Sequence, residues 1–303
     1  MHQYNGLTDT YKRITGFVIE FLEKGEVIWR KGWNEFGLPQ NIASGYQYKG
    51  WNSFLLNFIT MHYGFRTPYF ITYRQAMDAG GTIRRGQNGF IVIYWATFEN
   101  KSKPVEIDGE KKFLTYRVPR SHTVFNIDQT LGIVYPKVEK LLRSQIQKID
   151  ACEKTIECMP QKPLILNRGD EAYYDKVTDC ITLPAVEKFC SDEDYYKTLF
   201  HELAHSTGHQ KRLNRPELNQ SGGFGKELYS KEELTAELAA AFLCAICGIE
   251  QNTLTNSAAY IQGWLKVLHN DKKMILKAAS QAQAAADFIL NKKILEFESE
   301  SKS

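Results

Sequence analysis

The chain has 303 residues, 43% hydrophobic and 24% charged, with a formal net charge of only +3. That balance belongs to folded globular protein and excludes a fibrous or intrinsically disordered chain, and the length suits two domains. No apolar run approaches the roughly 20 residues that span a bilayer, the N-terminus has no basic-then-apolar leader, and the six cysteines form no disulfide framework, so a reducing, cytoplasmic setting without a membrane is expected.

In chain order, Ile14, Phe17, Val18 and Phe21 recur at helical spacing and predict a first helix over 10–24. "NSFLLNFITMHYG" predicts a second helix ending near Gly64, and "TYRQAMDAGG" a short one closed by glycines. "GFIVIYWATFE" and "KFLTYRVPRSHTVFNI" are strand-like, and the charged segment between them, around Lys101–Lys112, reads as a long mobile hairpin loop. Residues 136–160 predict a linking helix, with Leu142, Ile146, Ile149, Cys152 and Ile156 on one stripe. "KPLILN", "EAYYD" and "DCITLP" follow as short strands, the last taken as a sheet edge beside the next helix. Ser191 or Asp192 caps that helix; a Gly-rich loop, an Ala-rich helix from near Ser230, and helices over 257–268 and 272–294 complete the pattern. The tail "EFESESKS" is expected to fray. The fold class is α+β, divided into domains at 1–135 and 136–303.

The helix after Ser191 carries "HELAH", His201 to His205. Two imidazoles one turn apart can chelate one ion, and Glu202 between them is placed to take a proton from water activated there. A third ligand is needed. In the metzincin pattern it would fall on Lys211, whose ammonium cannot coordinate, and Gly208 swings His209 off the ligand face. The downstream acids Glu233 and Glu237 share a helix face, with Ala236 and Ala240 small enough for close approach. Their spacing resembles the gluzincin arrangement, which implies Glu233 as the ligand and Glu237 as the group that orients a histidine. Ser230 and Glu233 also fit a capping box, in which case Glu237 becomes the ligand. Tyr229 and His209 are candidates for the cleft or for polarising a substrate carbonyl. Zinc is the default ion, and manganese suits the same donors. Cys244 and Cys247 fall in an apolar helix and read as core.

The small net charge hides an asymmetry. Residues 1–135 hold 16 Lys and Arg against 11 Asp and Glu, and 25 of the 38 aromatic residues; the remainder holds 22 basic against 24 acidic. Trp29, Trp33, Tyr46, Tyr48, Trp51, Tyr69, Tyr73, Tyr94 and Trp95 are interleaved with Arg30, Lys31, Lys49, Arg66, Arg74, Arg84 and Arg85. Cations following phosphates and aromatic faces stacking on bases are what single-stranded nucleic acid requires, although many of these rings must also fill a core. The paired arginines of "TIRRGQNG" are poor core material and good phosphate contacts. Arg84, Arg85, Lys49, Trp51, Arg74 and Tyr48 are the candidate contacts.

"YKGWNSFLL", "YRQAMDAGGTIRRGQNGFIVIYWATF" and "VFNIDQTLGI" resemble the N-terminal single-stranded-DNA-binding domain of ArdC-type antirestriction proteins, also found in TraC-like plasmid primases. "AYYDKVTDCITLP", "YYKTLFHELAHSTGHQKRLNR" and "YSKEELTAELAAAFLCAICGI" resemble the zincin-like metallopeptidase domain that follows it. The resemblance implies a protein of mobile elements that binds single-stranded DNA, cleaves a protein or peptide with a bound metal, and protects incoming DNA from host restriction during conjugation. Two competing readings are a non-proteolytic DNA shield with a structural metal site and an accessory of conjugative replication.

Overall fold

The computed structural model describes residues 2–28, 37–107, 110–135, 144–219, 225–249 and 258–292. Trp29, Arg30, Lys31, Trp33, Leu142, the start of the Gly-rich loop and the acidic tail lie outside them. The elements mix as expected for α+β. Helix α1 (His2–Glu23) buries Ile14, Val18, Phe21 and Leu22, and Gly25 at φ +75° turns the chain out of it. Helix α2 (Trp51–His62) is buried on nearly every side.

Strands β1 (Gln40–Asn41), β2 (Tyr69–Thr72), β4 (Phe90–Ile107) and β5 (Glu110–Asn126) form one sheet in the order β1-β2-β5-β4. Helix α3 (Tyr73–Asp78), capped by Thr72 and Gln75, leads to a small pair of β3 (Thr82–Ile83) and β6 (Thr130–Leu131). The segment around Lys101–Lys112 corrects the expected loop. β4 and β5 pair from Phe90↔Val124 out to Ile107↔Glu110, with one register shift between Glu99 and Pro104. β2 meets β5 only at residues 124–126, so beyond them the hairpin runs on as a two-stranded ribbon. A two-stranded ribbon tolerates the polar composition that reads as a loop.

Helix α4 (Gln145–Cys158) starts at a capping box of Ser144 and Gln147. It leads to β7 (Leu164–Asn167), β8 (Tyr173–Asp175) and β9 (Cys180–Leu183), ordered β7-β9-β8. "DCITLP" is therefore the central strand, parallel to β7 and antiparallel to β8, and the sheet edge expected there belongs to β8. Helices α5 (Asp192–Thr207), α6 (Pro216–Asn219), α7 (Gly225–Cys247), α8 (Ala258–Asn270) and α9 (Met274–Ile289) follow. Buried alanines on α7 and α9, including Ala236, Ala240, Ala279 and Ala282, let α5, α7 and α9 pack closely.

The two segments share one core. Phe54 of α2 lies against Phe242 of α7 with ring centroids 4.2 Å apart. Thr15 donates to the Lys272 carbonyl at 2.7 Å, and the Gly50 N–H to Gln283 at 2.9 Å. Cys244 and Cys247 are buried in this core, as expected. Among the described residues no helix is long and apolar enough to cross a membrane.

Candidate metal centre

Helix α5 is built to start and stop sharply. Ser191 accepts the Asp194 N–H, three acids fill the first turn where the helix dipole favours them, and Gly208 ends the last turn. One turn apart on its inner face, His201 and His205 bring their Nε2 atoms within 3.1 Å of each other. Helix α7 supplies the acids. Glu233 turns one oxygen to each ring: Oε2 lies 3.5 Å from His201 Nε2 and Oε1 lies 3.3 Å from His205 Nε2, and one donor atom from each of the three residues falls within 4.8 Å of the others. Glu237 lies 3.6 Å from His201 on the other ring nitrogen, Nδ1. α7 begins at Gly225, which puts Ser230 inside the helix and removes the capping-box alternative for Glu233.

The donor set fits a small divalent ion. Bonds of about 2.0–2.1 Å at tetrahedral angles set donor atoms about 3.3 Å apart; the two Nε2 atoms are 3.1 Å apart, and each has a Glu233 oxygen at 3.3 or 3.5 Å. Glu202 is buried beside the histidines on the wall of a cleft of about 470 Å³. The cleft is bordered by β8, by Lys176 and Val177, by Glu217 and by the exposed ring of Tyr229. Arg212 bridges the Ser206 carbonyl, Asp179 and the Tyr174 hydroxyl, tying the β8–β9 hairpin to the end of α5. His209 corrects an expectation. It is buried in the turn after Gly208, its Nδ1 accepts the Lys211 N–H at 3.2 Å, and it is not among the residues bordering the cleft.

Two residues of this centre escaped the sequence reading. Glu232 is buried, and its Oε1 lies 3.2 Å from His205 Nδ1. Arg215 donates through Nε to Glu232 Oε2 at 3.0 Å and through Nη2 to Oε1. The same guanidinium donates to Thr207 Oγ1 at 2.6 Å and to the Ala204 carbonyl at 2.8 Å, gripping the end of α5. The acid doublet Glu232–Glu233 was the visible signal: successive helical residues point about 100° apart, so one acid faces the triangle and its neighbour reaches the flank of His205.

Burial opposes the charged imidazoles, but the surrounding carboxylates outweigh it. Glu233 and Glu237 hold His201 well above its ordinary range, and Glu232 and Glu233 lift His205 to about 9. The sign follows. Without metal, protonated His205 contributes stability below about pH 6.5 that is lost as pH rises through about 9. An ion must displace those protons, so its apparent affinity is expected to rise across the same window. Metal titrations at pH 6.5 and 9 check this; equal affinities would refute it.

In the N-terminal segment, Lys49, Arg74, Arg84 and Arg85 are exposed; Arg84 donates to the Thr130 carbonyl and Arg74 lies 3.8 Å from Asp78. Tyr48 and Trp51 correct an expectation: both are buried, at 6% and 5% exposure, because α2 and its entry loop are covered from both sides, and neither ring is presented to a ligand.

Two family models match, the N-terminal domain of anti-restriction factor ArdC over residues 8–125 and a zincin-like metallopeptidase over 157–281. The metal-free crystal structure of antirestriction ArdC protein from plasmid R388 is 34% identical, covers 93% of this chain and 96% of its own, and superposes with a TM-score of 0.73. This chain belongs to the ArdC antirestriction family. The Mn(II)-bound structure of the R388 protein gives a TM-score of 0.74 at 33% identity, covering 95% of this chain and 99% of its own. The Sinorhizobium fredii protein y4eC is 32% identical over 93% of this chain and 92% of its own length. Escherichia coli DNA primase TraC is 34% identical over 299 residues; the match spans 92% of the ArdC-family chain but only 27% of TraC.

Proposed function

We propose that this ArdC-family chain binds single-stranded DNA through residues 1–135 and hydrolyses a protein or peptide through residues 136–303, protecting incoming mobile-element DNA from host restriction. The observation that carries the peptidase half is the convergence of His201, His205 and Glu233 beside Glu202 on an open cleft. The Mn(II)-bound R388 protein supports a divalent ion in this fold, and the donors here suit zinc or manganese.

His201 Nε2, His205 Nε2 and a Glu233 oxygen would hold the ion, which supplies Lewis acidity when bound. Glu237 and Glu232 accept the remaining Nδ1 protons and fix both ring orientations. Glu202 takes a proton from the attacking water and returns it to the leaving amine. β8 is the sheet edge along the cleft, where an extended substrate pairs its backbone. Tyr229 stands across the cleft as the hydroxyl donor to the substrate carbonyl.

The test is metal removal and return. Chelated protein, and protein reloaded with zinc or manganese, would be incubated with an unfolded protein substrate, with and without single-stranded DNA, and followed by intact mass. Fragments that appear only after reloading support the reading. No fragments with metal bound and DNA held would overturn the peptidase half in favour of the shield. For the DNA half, Arg84→Ala with Arg85→Ala is expected to weaken single-strand binding and lower its salt slope by about 1.4, roughly 0.7 per lost phosphate contact. An unchanged slope would remove both from the interface.

A further inference from the structure

The buried positions of Tyr48 and Trp51 leave the proposed single-strand site without the rings first assigned to it, and the β4–β5 ribbon supplies others. In the register of the hairpin Val92 faces His122, Tyr94 faces Arg120, and Phe98 lies four residues further out on the strand of Tyr94. Directly paired residues of antiparallel strands share a face, and positions two apart along a strand return to it. Tyr94, Phe98, Arg120 and His122 therefore stand on one face.

Their contacts form two pairs along that face. The rings of Tyr94 and His122 are parallel within 5°, with centroids 4.4 Å apart. The Arg120 guanidinium lies over the Phe98 ring at 5.6 Å. Tyr94 is 40% exposed, and Arg120 and His122 are exposed, so the stack is on the surface and not part of either hydrophobic cluster. The ribbon is fixed at its root: Asn52, in the first turn of α2, accepts the Ile93 N–H at 2.8 Å and donates back to the Ile93 carbonyl. A pinned root holds the stripe in place before any ligand arrives.

We infer that this face, Tyr94, His122, Arg120 and Phe98, is the base-stacking surface for single-stranded DNA. Exposed rings and a guanidinium offer π-faces to unpaired bases of any sequence, and Arg120 adds a cation for the phosphates. From Tyr94 to Phe98 the stripe runs roughly 13 Å at about 3.3 Å per residue, room for up to about four stacked nucleotides at about 3.4 Å each. Duplex DNA keeps its base faces stacked internally and cannot use this surface in the same way. The inference rests on the proposed reading that the first segment binds single strands.

The test uses the full chain and a fluorescent oligo-dT. Tyr94→Ala is expected to weaken binding roughly 5- to 150-fold, the range of one lost stacking contact, while Tyr94→Phe retains affinity because it keeps the ring. Arg120→Ala should also lower the salt slope by about 0.7. Photocrosslinking with bromodeoxyuridine in the oligonucleotide should label residues 91–98 or 118–123 of the unaltered protein, a result independent of how any variant folds. Full affinity in Tyr94→Ala, or crosslinks only outside both strands, would overturn the ribbon site while leaving single-strand binding standing. No binding of oligo-dT by the unaltered chain would overturn both.

Discussion

Replacing Glu202 with Gln is expected to abolish proteolysis while leaving the metal in place. Glu202 is not one of the three atoms that close the donor triangle, so the amide should leave metal affinity within a few-fold of the original. What it loses is a carboxylate able to accept and return a proton, and general acid–base catalysis is typically worth about 10²–10⁴-fold. The comparison variant is Glu233→Ala, which removes a donor and should lose metal and cleavage together. The two are separated by measuring bound metal per chain beside the cleavage rate. A Glu202→Gln protein that cleaves at the original rate would place the chemistry elsewhere. The variant also divides the competing functions: if antirestriction in cells survives it, the DNA-bound protein protects without cutting.

The second large effect is expected at Arg215. Its guanidinium is buried against the buried Glu232 carboxylate, and both sit behind His205. Removing one partner of such a pair leaves a charge with neither water nor counter-ion, at a cost of about 3–5 kcal/mol. Arg215→Ala should therefore lower the melting temperature markedly and strip the Thr207 hydroxyl and Ala204 carbonyl of their donor. The effect on the metal is separable with Glu232→Gln, which keeps the size of the side chain and one acceptor oxygen. That variant should bind metal about 10–100-fold more weakly, as when a partner that orients a ligand histidine is lost. Unaltered affinity in Glu232→Gln would reduce the Arg215–Glu232 pair to a purely structural role.

The contrast between these residues shows what a sequence discloses. His201, Glu202 and His205 were legible because i, i+4 spacing on a helix fixes their geometry locally. Glu233 and Glu237 were legible for the same reason on the second helix, given that the two helices meet. Arg215 was not, because its partner is 17 residues away and the turn that returns it to α5 has no periodicity. Tyr48 and Trp51 carry the composition of a nucleic-acid surface, yet only the packing around α2 decides that they face inward. Strand order was equally hidden: β8 and β9 are both short, and pairing alone makes one central and the other the edge. The ribbon was missed because charge and Pro104 are loop signals wherever a strand must be buried, and this one has no third strand beside it.

Phe54 on Phe242, with the side-chain bonds from Thr15 and Gln283, has a thermodynamic consequence. Segments that share one core are coupled in unfolding, so a ligand that binds only the folded form of one stabilises the other as well. An oligonucleotide held by the front segment would then slow local opening of the helices that hold His205 and Glu233, and a metal ion would reciprocally stiffen the N-terminal sheet. Neither half can be excised without baring the apolar face of α2 or of α7. Genetic exchange would have to move such a block whole, and the 299-residue match inside TraC has that extent.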